Sequence, residues 1–239
     1  MSSAGTVLIT GANRGIGLEH ARQYASAGWR VLACARRPEQ ASALQALSAE
    51  HPERVKLFAL EVTDFAAVDA LAEELAGQRI DVLLNNAGTF GPQGAPEGLA
   101  YQSLANMDYD IWRNMLEVNL LAPFRVAVAL SDSLRLADRP LLVMMSSDLG
   151  SISNNSQGSS YAYRSSKAAL NMLSKGMAVE WQDIIVVAMA PGWCRTDLGG
   201  PDAVVDPVDS VREQQQTFEK LAAADSGRFI DRFGSSVDW

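Results

Sequence analysis

The chain has 239 residues, 48% of them hydrophobic and 20% charged, with a formal net charge of −8. That balance suits one compact α/β domain and argues against nucleic acid as a partner, because no basic block is present to track phosphates. Cys34 and Cys194 form no CxxC, and His20 and His51 have no second ligand nearby in sequence, so no disulfide framework and no metal site is expected, and both histidines read as surface residues. No stretch reaches the about 18 apolar residues of a membrane span, and no basic-then-apolar leader opens the chain, so a cytoplasmic protein without a membrane partner is expected.

Val7–Thr10 is a short apolar run that meets Gly11-Ala-Asn13-Arg14-Gly15-Ile16-Gly17 at once, and a helical pattern with Leu18, Ala21 and Ala25 on one face follows. Strand, glycine turn and helix together are the setting in which a glycine motif binds a dinucleotide. Gly11 lets the chain turn sharply. Gly15 leaves room for a pyrophosphate at the helix N-terminus, where free N–H groups favour anions, and Gly17 permits close packing of helix on strand.

Arg30–Ala35 reads as the second strand, followed by Arg36-Arg37. NAD-binding units carry an acidic residue here for the ribose 2′-hydroxyl. This chain has Ala35 and then Arg36, which with Arg14 suits a 2′-phosphate through charge-assisted contacts. NADP(H) is therefore the expected cofactor; the alternative is that both arginines merely face water.

Residues 38–50 read as a helix with Pro38 in its first turn. Val55–Leu60 is the third strand, with Thr63 or Asp64 capping a helix at about 65–76. Ile80–Leu84 is the fourth strand and runs into Asn85-Asn86-Ala87-Gly88, where asparagine side chains can bind neighbouring backbone. The glycine- and proline-rich residues 89–106 are either a wall of the ligand cleft or a surface loop.

Residues 108–136 read as one long helix with a flaw at Asn119-Leu-Leu-Ala-Pro123. Pro123 has no N–H for the Asn119 carbonyl. That carbonyl and the Asn119 amide can hold a water, unless the proline is a simple kink.

Leu141–Ser146 is an all-apolar fifth strand, as expected when both faces are covered, and it leads into Ser146-Ser147-Asp148. A polar loop at 151–160 precedes a helix starting near Ser160, whose stripe of Leu170, Leu173, Met177 and Trp181 packs on the sheet. Tyr163 and Lys167 lie off that stripe, four residues apart and so on one helix face. An ammonium beside a phenol favours the phenolate, so the Tyr163 pKa is expected to fall toward neutral, as a general acid near pH 7 requires. Taken alone, the spacing more often describes an exposed Tyr–Lys helix pair, since YxxxK recurs by chance. Ile184–Met189 is the sixth strand, closed by Pro191-Gly192, and an irregular stretch leads to about Pro207. A helix at 208–223 and a short last strand at 227–231 complete the chain. The βα alternation predicts a single doubly wound (Rossmann) domain: a parallel sheet of about seven strands with helices on both faces.

Thr10, Gly11, Gly15 and Gly17, then Asn85-Asn86-Ala87-Gly88, Asn119, Ser147, Tyr163 with Lys167, and Pro191-Gly192 with Thr196 stand in the order found in the short-chain dehydrogenase/reductase family, which the chain resembles over nearly its whole length. Residues 191–201 and 225–231, with Tyr161–Lys167, resemble the C-factor/sniffer branch of its carbonyl-reductase-like members. The resemblance implies reduction of a small-molecule carbonyl by hydride transfer, with Ser147 and Tyr163 donating to the carbonyl oxygen, Tyr163 as general acid and Lys167 lowering its pKa while holding the nicotinamide ribose. By the same resemblance Asn119, through its freed carbonyl and a water, would relay a proton to Lys167. Gly11, Asn13, Arg14, Gly15, Ile16, Gly17, Arg36, Glu61, Val62, Asn86, Ala87, Gly88, Tyr163, Lys167, Pro191, Gly192 and Thr196 are the implied cofactor contacts, residues 191–207 the substrate loop, and a homodimer or homotetramer the assembly. Three departures from the family pattern are visible: Ser147 and Tyr163 are further apart than usual, Glu61 stands where an aspartate commonly borders the adenine, and the turn from Glu180 to Ile184 is short. A cofactor-bound regulator of the same fold and an NAD-dependent alcohol dehydrogenase are the competing functions. The Ser–Tyr–Lys–Asn set speaks against the first, and the missing acid after the second strand against the other.

Overall fold

The computed structural model describes residues 4–95 and 97–239. In chain order the elements are β1 (Thr6–Thr10), α1 (Gly15–Ser26), β2 (Arg30–Ala35), α2 (Ser42–Glu50), β3 (Val55–Ala59), α3 (Phe65–Glu74) and β4 (Val82–Asn85). Then come α4 (Tyr109–Leu116), a π-helical turn (Glu117–Leu121), α5 (Ala122–Ala129), α6 (Ser131–Arg135), β5 (Leu141–Met145), α7 (Tyr161–Glu180), β6 (Ile185–Ala190), α8 (Pro207–Lys220) and β7 (Arg228–Asp231). The sheet has seven strands in the order β3-β2-β1-β4-β5-β6-β7, every neighbouring pair parallel. The doubly wound Rossmann architecture read from the sequence is the one observed.

Alternation along each strand sends side chains to two separate cores. Val7 and Ile9 pack with Leu18 and Ala21 of α1, Leu44 and Leu47 of α2 and Phe218 of α8. Leu8 points the other way, toward Val68 and Leu71 of α3, Val126 of α5 and Leu170 and Met177 of α7. The order of strands reverses between β1 and β4. The crevice beyond their carboxyl ends is where such sheets bind ligands, and both the glycine loop and Asn85–Gly88 open onto it.

Four sequence readings need correction. The expected helix over 38–50 is a 3-10 turn at Pro38–Gln40 followed by α2. The long helix of 108–136 is instead α4, the π turn, α5 and α6: the π turn, in which the Ala122 N–H bonds the Glu117 carbonyl five residues back, separates α4 from α5, and a second break at Leu130 separates α5 from α6. Tyr163 and Lys167 are not off the buried stripe of α7: Tyr163, Ser166, Lys167, Leu170, Asn171, Ser174 and Met177 form one continuous buried face. Lastly, His20 is not a surface residue. It is fully buried between the rings of Tyr24 and Phe218, with centroids 6.1 and 6.0 Å away, and its Nε2 lies 3.2 Å from Gln214 Oε1. His51 is half-buried. Among the described residues, no helix is long and apolar enough to cross a membrane.

Candidate active site

The glycine loop is laced to the end of β4. Thr10 Oγ1 accepts the N–H groups of Asn86 and Ala87, each at 3.0 Å, and Asn86 Nδ2 donates to the carbonyls of Thr10 at 2.9 Å and Gly11 at 3.3 Å. The asparagine therefore binds neighbouring backbone, as its place at a strand end suggested. Gly11 has φ +67°, and a Cβ there would lie 3.0 Å from Ala87 Cα; one on Gly17 would lie 2.4 Å from the Gly11 carbonyl oxygen. Neither position has room for a side chain. Arg14 is the N-cap of α1 yet offers no side-chain acceptor, so the N–H groups of the first turn are left for an external anion.

The two arginines read as a pair do not meet. Arg14 Nη1 reaches across the groove to Asp197 Oδ2 at 2.8 Å, and Arg36 Nη1 lies 3.8 Å from Glu61 Oε2. Both guanidinium groups are exposed and stand at the rim of the crevice. Glu61 Oε1 accepts from the Thr63 N–H and hydroxyl, Val62 is buried beside it, and Asp64 rather than Thr63 caps α3.

Deeper in the crevice, β5 delivers Ser147 to the first position of a short 3-10 turn, Asp148–Gly150, where its Oγ accepts the Leu149 N–H. Its hydroxyl also acts on the Tyr163 phenol, whose pKa it lowers. The adjacent serines are committed elsewhere: Ser146 Oγ donates to Asn171 Oδ1 at 2.6 Å, and Ser151 Oγ accepts the Asn154 N–H. Only Ser147 faces the tyrosine among these three.

Lys167 Nζ donates to the Met145 carbonyl at 2.8 Å and lies 5.6 Å from the centre of the Tyr163 ring. A Cβ built on Gly88 would lie 3.3 Å from Asn119 Oδ1 and 3.6 Å from Lys167 Nζ, so Gly88, Asn119 and Lys167 converge on one point. The Asn119 amide is not idle. It accepts the Thr89 N–H at 2.8 Å and donates to the Thr89 carbonyl at 2.9 Å and Ser166 Oγ at 3.1 Å. The sequence reading gave this amide a share in holding water; its capacity instead goes into clasping Thr89, and only the backbone carbonyl remains a candidate for that task.

Burial dominates the titration of the cluster. It pushes the Tyr163 phenol up to about 12, with the Ser147 hydrogen bond pulling the other way and the Asp148 charge adding to the rise. It also lowers Lys167 to about 8. The expected fall of the tyrosine toward neutral is thus reversed. The two side chains are only 7% and 4% exposed, and desolvation of a charged form at such depth outweighs attraction across the gap.

The walls are formed by the two irregular segments. The segment 89–106 contains a 3-10 turn at Glu97–Tyr101, and its Gln102 forms an antiparallel bridge with Met107 just beyond it. Phe90 packs on Tyr163 with ring centroids 4.8 Å apart, so this segment is a wall of the cleft rather than a detached loop. Opposite it, Thr196 Oγ1 accepts the Gly199 N–H, and Trp193 Nε1 donates to the Gly199 carbonyl. The walls touch where the Ala95 N–H bonds the Leu198 carbonyl at 3.0 Å. Pro191 and Gly192 follow β6, and the Pro191 carbonyl is held by Ser210 Oγ at 2.7 Å. Asp197 and Gln102 were missed as site residues. An acid following Thr196 is a faint signal for a partner to the basic glycine loop. Nothing local marks Gln102.

Comparison with known proteins agrees with this geometry. The profile of the short chain dehydrogenase family matches residues 5–203. The C-signal of Myxococcus xanthus is 36% identical over 172 residues, covering 71% of this chain and 99% of that protein. Among solved structures, the carbonyl reductase Sniffer of D. melanogaster superposes with a TM-score of 0.90 at 30% identity, covering 99% of this chain and 100% of that one. The NADPH-bound carbonyl reductase from chicken fatty liver gives a TM-score of 0.89 at 31% identity, covering 99% of both chains. The chain belongs to the short-chain dehydrogenase family.

Proposed function

We propose that this protein is an NADPH-dependent reductase that converts a ketone or aldehyde to the alcohol. The observation that carries the reading is the convergence of Ser147, Tyr163, Lys167 and Asn119 at the floor of the crevice that begins with the glycine loop. The residues present fit the cofactor: the first turn of α1 lacks a side-chain cap, and Arg14 and Arg36 stand at the rim where an acid would oppose a 2′-phosphate. Asn13, Ile16, Val62, Ala87, Gly88, Pro191, Gly192 and Thr196 are the cofactor's further proposed contacts.

When bound, the nicotinamide supplies the hydride. Ser147 and Tyr163 each present a hydroxyl to the substrate oxygen as it gains negative charge. Tyr163 then gives its proton to that oxygen. Its high pKa in the buried site keeps it protonated until the alkoxide forms. Lys167, held by the Met145 carbonyl, is positioned to compensate the phenolate left behind and to pass a proton back. The sum is one carbonyl, one NADPH and one proton giving one alcohol and one NADP⁺. The exposed Phe124 and Val128 on α5 and Met172 and Val179 on α7 support an assembly of two or four copies.

Replacing Tyr163 with phenylalanine tests the reading. A general acid contributes typically about 10²- to 10⁴-fold, so NADPH oxidation with a panel of ketones, aldehydes and quinones should fall by at least about a hundredfold, with NADPH affinity little changed. Retained turnover would refute the role. A second reading, a cofactor-bound signalling protein, is favoured by the likeness to the Myxococcus C-signal. It predicts tight NADPH binding with no turnover on any carbonyl in the same panel.

A further inference from the structure

The first turn of a helix has N–H groups with no acceptor inside the helix. In α7 that turn carries Tyr163, yet the residue before the helix does not cap it. Ser160 is in the left-handed region at φ 49°, following Ser159 at φ 58°, and makes no side-chain cap. The acceptor comes from the wall opposite. The Tyr161 N–H bonds the Gln102 carbonyl at 3.2 Å, and the Tyr163 N–H bonds Gln102 Oε1 at 2.9 Å. The same amide donates through Nε2 to the carbonyls of Phe90 at 2.9 Å and Gly98 at 3.2 Å. Gln102 is fully buried, and its side-chain acceptor and its amide donors are engaged.

Gln102 therefore ties three things at once: the backbone of Tyr163, the carbonyl of the phenylalanine whose ring lies against the Tyr163 ring, and the 3-10 turn of the wall. We propose that Gln102 is a positioning residue: it fixes the placement of Tyr163 through the main chain and makes Phe90 and the turn at Glu97–Tyr101 part of the same rigid unit, so that the shape of the substrate wall and the aim of the acid are set together. This rests on the reading of Tyr163 as the general acid. A displacement of about 1 Å can cost about a hundredfold in rate, and a buried N–H without an acceptor supplies a reason for the first turn to shift.

The test uses two substitutions in the full chain. Gln102→Met keeps the volume but removes the acceptor and both donations. Gln102→Glu keeps an oxygen for the Tyr163 N–H in either protonation state and disturbs only the bonds to the wall. The expected result for Gln102→Met is a fall in kcat per NADPH-binding site of about ten- to a hundredfold, a larger solvent deuterium isotope effect on kcat, and an NADPH dissociation constant within about twofold of the parent. Gln102→Glu should hold most of kcat while KM rises as the wall loosens. Leu44→Ala, a deletion in the opposite core, controls for stability and should lower Tm without changing kcat per site or the isotope effect. Parent-like kcat and isotope effect in Gln102→Met overturn the proposal, and so does an equal loss of kcat in both variants. If Gln102→Met does not fold, Gln102→Glu decides alone: unchanged KM overturns the proposal and a raised KM with kept kcat supports it. Tyr163→Phe separates the two levels. An active Tyr163→Phe sinks the acid assignment itself, whereas an inactive one beside a parent-like Gln102→Met sinks only the positioning role.

Discussion

Protonating His20 should cost the fold much of its margin in mild acid. The imidazole is fully buried between Tyr24 and Phe218, and burial lowers its pKa from 6.5 to about 4 despite the partial relief of the Gln214 hydrogen bond. Gln215 Nε2 lies 3.4 Å from Nδ1, so both ring nitrogens face amides and neither faces a carboxylate. In the unfolded chain the ring takes up its proton near 6.5; in the folded chain it resists until about 4. Folding stability from this residue is therefore complete above the unfolded value and is lost as pH falls through the window between the two. At about 1.4 kcal/mol per pKa unit, that displacement amounts to roughly 3 kcal/mol, a large fraction of a typical 5–15 kcal/mol stability. Urea unfolding of the parent and His20→Gln at a series of pH values isolates the effect, because the carboxylates common to both cancel in the difference. The parent should lose about 3 kcal/mol relative to the variant between about pH 7.5 and 4. A difference that stays flat within about 0.5 kcal/mol would show that His20 is already protonated, or solvated, in the folded state.

Two further predictions concern the crevice. Lys167 is held at about 8 by burial and has one hydrogen bond to the Met145 carbonyl, so Lys167→Met should abolish turnover yet raise stability near neutral pH by roughly 2 kcal/mol, read from chemical denaturation. An unchanged or lowered stability would mean that the charge is better solvated than its burial implies. At the rim, Arg36→Ala should weaken NADPH binding far more than NADH binding. Asp197→Asn, by releasing Arg14, should tighten NADPH about two- to fivefold at low salt, in keeping with an exposed ion pair; the gain should vanish in an Arg14→Ala background, and a gain that persists there would break the link.

Much of the architecture is written locally. Leu141–Met145 and Ile185–Ala190 stand out because strands covered on both faces are apolar throughout, and Gly11 and Gly17 because neither position has space for a Cβ. What escaped was written at long range. His20 looks like a surface residue because the amide that satisfies it is 194 positions away. Gln102 carries no signal, since its meaning comes from a helix that starts far downstream. The titration of Tyr163 was misjudged because a spacing of four residues reveals the lysine but not the depth at which both lie. The π turn between α4 and α5 was read as plain helix because periodicity over a long window barely registers a single added residue.

That added residue has a consequence for how the sequence can vary. An α-helix advances about 100° per residue, and the π turn at Glu117–Leu121 accommodates one residue more than an α turn would. Deleting any one position in it would let the helix close to regular geometry and swing one half by about 100° against the other. Either Asn119 would lose Thr89 and Ser166, or Met115 would leave the core. The segment can drift by substitution one position at a time, but its length is locked: descendants of this chain should carry point changes through Glu117–Leu121 and no gap.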